Sequence, residues 1–145
     1  MPMKAMWKCK RCGRKFANRN QSHFCSKHTL DEHLRGRSSE VIALYRRLVR
    51  LVRKCGRVAI LPEKTRIAFQ VRMSFAQVSF RRDKLRGHVT LARRLEHPRF
   101  LRIDTISPQN HVHHFELRST AELDEEFSGF LREAYRVGQQ LHLKS

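Results

Sequence analysis

The spacing of apolar positions changes twice along the chain, and the changes divide it. Between Ser39 and Lys54, the residues Val41, Leu44, Tyr45, Leu48, Leu51 and Val52 recur at three- and four-residue intervals. This predicts an amphipathic helix over 39–54 with Arg46, Arg47, Arg50, Arg53 and Lys54 on its back, ended by Gly56. From Val58 to Leu117 the period becomes two. Strands are expected at Val58–Leu61, Lys64–Arg72, Phe75–Phe80, Leu85–Ala92, Leu101–Ile106 and Val112–Leu117. Pro62, Arg82-Asp83-Lys84, His97-Pro98 and Ser107-Pro108-Gln109-Asn110 break the pattern between them. Such short connectors favour an antiparallel, meander-like sheet over parallel crossovers. The helical period then returns. Ser119-x-x-Glu122 is a capping box that opens a helix to about Gln140, with Leu123, Phe127, Phe130, Leu131 and Ala134 on its apolar side.

Ahead of this body, Thr29-Leu30-Asp31-Glu32 is another capping box, starting a short helical turn that stops by Gly36. The organisation expected is a segment at 1–28, a short helix and linker at 29–38, and a domain at 39–145. The fold class is α+β: a small N-terminal zinc finger, a helix, a mainly antiparallel sheet of four to six strands and a C-terminal helix. The two long helices are expected to cover one face of the sheet.

The zinc assignment comes from Trp7–Cys25. Cys9-x-x-Cys12 lets two thiolates grip one metal from a tight turn, and Gly13 supplies a residue free to take positive φ there. His23 and Cys25 lie two apart, on one face of an extended segment. Cys9, Cys12, His23 and Cys25 thus make a Cys3His set suited to structural Zn2+. His28 is the rival fourth ligand, because Cys25-Ser26-Lys27-His28 is also a chelating spacing. A redox CxxC is disfavoured, since no βαβ pattern surrounds it. Trp7 and Phe16 are the expected apolar plugs of so small a unit, which has too little core to fold without its metal.

The net charge of +18 is spread unevenly. Every segment before residue 119 has a cationic excess, and only 119–145 is net acidic, with three basic side chains against five acidic ones. A body so charged implies a polyanionic partner, of which nucleic acid, DNA or RNA, is the commonest. The residues expected to contact phosphate are Lys10, Arg11, Arg14, Lys15 and Arg19 on the finger. On the sheet they are Arg66, Arg72, Arg81, Arg82, Lys84 and Arg86. The longest wholly apolar run, 41–45, is too short to cross a membrane, and no signal-peptide core begins the chain. With thiols at metal spacing, this points to the cytoplasm.

Together, the WKCKRCGRKFANRNQSHFC block, TLDEH, the SSEVIALYRRL helix, EKTRIAFQVRMSFAQV and the HVHHFEL strand resemble a group of bacterial proteins of unknown function. In that group a short zinc-finger-like segment precedes a small α/β domain, and the domain recurs in chains labelled predicted transport proteins. The resemblance implies His23 over His28 as ligand. It implies no catalytic residues.

Chemistry has one lure. His111 and His113 share a strand face at a metal-chelating or acid–base spacing, beside His114, with only Glu116 and Asp104 nearby. A packed or solvated strand explains them as well. No GxxxxGK[ST], GxGxxG or GxSxG is present, and no acidic set has nuclease spacing. The expected function is therefore non-catalytic nucleic-acid binding through the finger and a basic sheet face. The alternatives are a regulatory module with an acidic protein partner, and a small enzyme or ligand-binding domain.

Overall fold

The computed structural model describes residues 5–11, 13–20 and 28–141. Two short strands, β1 (Trp7–Lys8) and β2 (Lys15–Phe16), form an N-terminal hairpin. Then come α1 (Leu30–Leu34), α2 (Ser39–Lys54) and strands β3 (Ala59–Pro62), β4 (Ile67–Gln70) and β5 (Ser74–Phe80). The chain continues with β6 (Leu85–Leu91), β7 (Arg102–Ser107), β8 (Asn110–Leu117) and α3 (Glu125–Gly138). Both capping residues ahead of the first helices do what their side chains suit them for. The Thr29 hydroxyl accepts from Glu32 N–H at 3.3 Å, and the Ser38 hydroxyl accepts from Val41 N–H at 3.2 Å.

The six strands β3–β8 make one antiparallel sheet in the order β3-β4-β5-β6-β8-β7. The meander expected from the short connectors holds only through β6. The chain of residues 92–101 passes the end of β8, so β8 inserts between β6 and β7. β4 is also shorter than the alternating run suggested. At one end Glu63 N–H donates to Arg66 O in a tight turn; at the other, the Arg72 and Met73 amides leave the ladder and donate to Gly138 O, both at 3.0 Å. Gly138 is required there, because a Cβ would stand 2.7 Å from the Phe75 ring.

One sheet face carries Ile67, Phe69, Val78, Leu85, Val89, Leu91, Phe115 and Leu117 into the core. α3 crosses that face over β5 and β6, α2 lies beside α3, and Phe127 packs edge-on against Phe115 at 5.1 Å. Burial of these side chains, worth roughly 1.5–3 kcal/mol each, is what holds the layers together.

The C-terminal helix does not run unbroken from the Ser119 box. The box closes only a 3-10 turn, Thr120–Glu122, where Glu122 Oε1 accepts from the Arg118 and Ser119 amides. Leu123 then leaves helical geometry to enter the core, and Asp124 caps a second start by accepting from Phe127 N–H at 2.9 Å. A sequence with two caps five residues apart can reset its helix between them, and burial of Leu123 favours the reset.

Candidate nucleic-acid interface

The hairpin is built around a turn. Gly13 N–H donates to Cys9 O at 2.9 Å, Cys9 N–H donates to Arg14 O at 2.8 Å, and Gly13 has φ +77°. Cys9 is buried there, and the Trp7 and Phe16 rings pack at 6.1 Å, as expected of plugs. Cys12, His23 and Cys25 lie outside the described residues. His28 is described, and it faces Glu32 Oε2 at 2.9 Å. Among the described residues no group of three His, Cys, Asp or Glu side chains is arranged for a metal.

The hairpin does not hang free. It docks on the sheet face away from the helices, where the buried Gln70 amide donates to Lys15 O and Arg14 Nη1 pairs with Glu63 Oε2 at 3.2 Å. Glu63 also holds Arg66 Nε at 3.1 Å, and its carbonyl accepts from the buried His33 ring. One residue thus ties the hairpin and α1 to the β3–β4 turn.

Docking leaves a groove of about 860 Å³ between the hairpin, the end of α2 and β3. Arg14 and Lys15 line one bank; Arg53 and Arg57 line the other. Met6, Val58, Ala59, Leu61 and Val71 contribute apolar walls, and among the described residues no carboxylate lines it. The groove merges the hairpin's cations with the back of α2, where Arg46, Arg50, Arg53 and Lys54 are exposed.

The residues expected to contact phosphate separate into two groups. Lys10, Arg11, Lys15 and Arg19 are exposed on the hairpin, and Arg81 and Arg82 are exposed at the β5–β6 turn. Among the described residues none of these six has a carboxylate within ion-pair distance. Arg14, held by Glu63, and the sheet-face cations are already engaged. Arg66 pairs with Glu63, while Lys84 and Arg86 share Glu116, with Arg86 Nη2 at 3.3 Å. The hydrogen bond from Lys84, with Arg86 beside it, holds the Glu116 carboxyl below its usual range. Arg72 stands at the opposite end of the sheet from Arg66 and donates to Gln140 Oε1 at 2.9 Å. It is not brought together with the others. The sequence reading passed over Arg53 and Arg57 as contacts, because only tertiary docking sets them across from the hairpin.

The histidines divide by face. His113 is wholly buried on the helix side, its Nε2 accepting from Leu95 N–H and its Nδ1–H donating to His111 O, each at 2.9 Å. Burial lowers its pKa. His111 Nε2–H donates to Pro108 O at 3.1 Å, and Nδ1 accepts from the Thr105 hydroxyl at 2.9 Å. Both rings are spoken for structurally.

His114 points to the other face. Its Nε2 lies 2.8 Å from Asp104 Oδ2, which also meets Arg102 at 3.1 Å. The His88 ring packs edge-on against His114 at 5.5 Å. Burial first, then the nearby His114 and Arg66 charges, push His88 down to about 4. Strand register sets Gln77, His88, His114 and Arg102 in one cross-strand row, and Asp104, two residues on from Arg102, reaches His114 from the same strand.

The model of a family described as a domain of unknown function (DUF5655) matches residues 30–138. The chain belongs to this family. The DUF5655 match opens with α1 and closes with α3, so the hairpin and its cysteines lie outside it. No curated protein and no solved structure matches the chain. Among the described residues no helix is long and apolar enough to cross a membrane.

Proposed function

We propose that this protein binds nucleic acid without catalysing a reaction on it. The observation that carries the reading is a groove lined by four cations of which, among the described residues, only Arg14 already holds a carboxylate, while Lys15, Arg53 and Arg57 hold none, continuous with the exposed arginines of α2. A phosphate polymer gains most where cations lack carboxylates of their own, because its binding then releases counterions without breaking existing pairs. This moves the weight of the interface from the sheet face to the hairpin, the groove and the back of α2, with Arg81 and Arg82 as an outlying contact.

The second part of the proposal is that Cys9, Cys12, His23 and Cys25 hold one Zn2+. The Cys9–Gly13 turn supports it, with a buried thiol and a positive-φ glycine where a knuckle requires them. The metal would supply the fold energy that the hairpin's few apolar side chains cannot. The protein's own part is to tether that hairpin through Glu63 and Gln70, which sets Arg14 and Lys15 opposite Arg53 and Arg57.

Fluorescence anisotropy with labelled oligonucleotides tests the reading. Affinity should fall by orders of magnitude as salt rises from about 50 to 200 mM. Affinity that is flat across this range, or absent at low salt, rejects it. An acidic protein partner is the competing occupant of the same cations. A pulldown from nuclease-treated lysate that keeps its partners would favour that one.

A further inference from the structure

The groove has two kinds of wall, and cations alone do not explain the second. Its banks are charged: Arg14 and Lys15 face Arg53 and Arg57. Its floor is aliphatic, made by Val58, Ala59, Leu61 and Val71 with the Met6 thioether at the edge. A duplex presents phosphates and sugars outward and keeps its base faces stacked inside. Against such a floor it would lose hydration and gain no apolar contact. An unpaired strand has both surfaces that the groove matches, phosphates for the banks and flat base faces for the floor.

We infer that the groove takes an unpaired nucleic-acid strand, with phosphates along its two banks and bases laid on the Val58–Leu61 floor. This rests on the nucleic-acid reading above and adds the class of ligand. A volume of about 860 Å³ is the size that buries one drug-sized molecule, so roughly one or two nucleotides enter at a time. Among the described residues no aromatic side chain lines the floor, so bases meet aliphatic groups there, which offer no hydrogen bonds to read their sequence. Arg53 and Arg57 come from the last turn of α2 and the loop after it, while Arg14 and Lys15 come from the hairpin. The strand therefore bridges two parts of the chain, and its affinity depends on the hairpin staying docked.

The test compares a labelled oligothymidine strand with a blunt duplex of equal phosphate number, on the full chain at low salt. The single strand is expected to bind at least about tenfold more tightly, as burying on the order of 60 Å² of apolar surface against the aliphatic floor gives. R53E/R57E should remove that preference and weaken single-strand binding by about tenfold or more. Ala59→Glu, at an exposed floor position that tolerates a larger side chain, should also remove it. R81E/R82E changes the net charge equally but lies outside the groove, so it should weaken both probes alike and leave the preference in place. Equal affinity for strand and duplex overturns the inference, as does a preference that survives both R53E/R57E and Ala59→Glu. Salt-steep duplex binding untouched by R53E/R57E sinks the groove while sparing the nucleic-acid reading. Absence of salt-sensitive binding to either probe sinks both.

Discussion

Arg14 Nη1 lies 3.2 Å from Glu63 Oε2, and this contact spans 49 positions of sequence to bind the hairpin to the β3–β4 turn. Both side chains are largely shielded from solvent, but the same carboxylate also serves Arg66. Replacing Glu63 by Gln should therefore loosen the hairpin more than it destabilises the domain. The expected cost to global stability is about 1 kcal/mol or less. Limited trypsin digestion should cut around Arg14 and Lys15 faster, with the unfolding midpoint little changed. An unchanged cleavage rate would show that contacts other than Glu63 hold the hairpin down.

Acid should weaken this fold first through His88. Its folded pKa is pushed down to about 4 from the ordinary 6.5, chiefly by burial. The unfolded chain then binds more protons between those values, so stability rises with pH across that window and falls as pH drops from 6.5 towards 4. Asp104, Glu116 and Asp124 are also depressed, so their contributions persist above the ordinary carboxylate range and are lost only at lower pH. Urea unfolding at pH 7 and pH 5 should differ by on the order of 2 kcal/mol in the native chain. His88→Gln should shrink that difference, and a difference left intact would assign the acid sensitivity elsewhere.

His113 and His114 are neighbours with opposite duties. His113→Leu removes the acceptor of Leu95 N–H inside the core and should cost about 2–3 kcal/mol in chemical unfolding. His114→Ala, on the half-buried outer face, should cost under about 1 kcal/mol. Equal losses would contradict the division of the strand between two faces.

Cys9→Ser should lower zinc content well below one ion per chain and release the hairpin, leaving the α+β domain folded. Metal analysis with far-UV circular dichroism checks both halves. Full occupancy in the variant would remove Cys9 from the ligand set.

Much of the architecture was legible because the apolar period states it. α2 spans the residues its six apolar positions marked, and all six strands fall within a few residues of the expected runs. The insertion of β8 was hidden, since periodicity identifies a strand without naming its neighbour. The broken start of α3 was hidden for a different reason: the sequence offers two adequate caps, and only the core's demand for Leu123 chooses between them. The candidate interface was legible as charge but not as place. Cations can be counted from sequence, whereas Glu116, which neutralises Lys84 and Arg86, comes from a strand distant in the chain, and Glu63 meets the nearby Arg66 only through the fold of the β3–β4 turn.

Gly138 O takes both the Arg72 and the Met73 amide, so the final carbonyl of α3 doubles as the clasp of the β4–β5 turn. Helix ends ordinarily fray, whereas this one can open only by surrendering two bonds from the turn that joins β4 to β5. The tail of α3 and the centre of the molecule should then exchange their amide protons as one cooperative block.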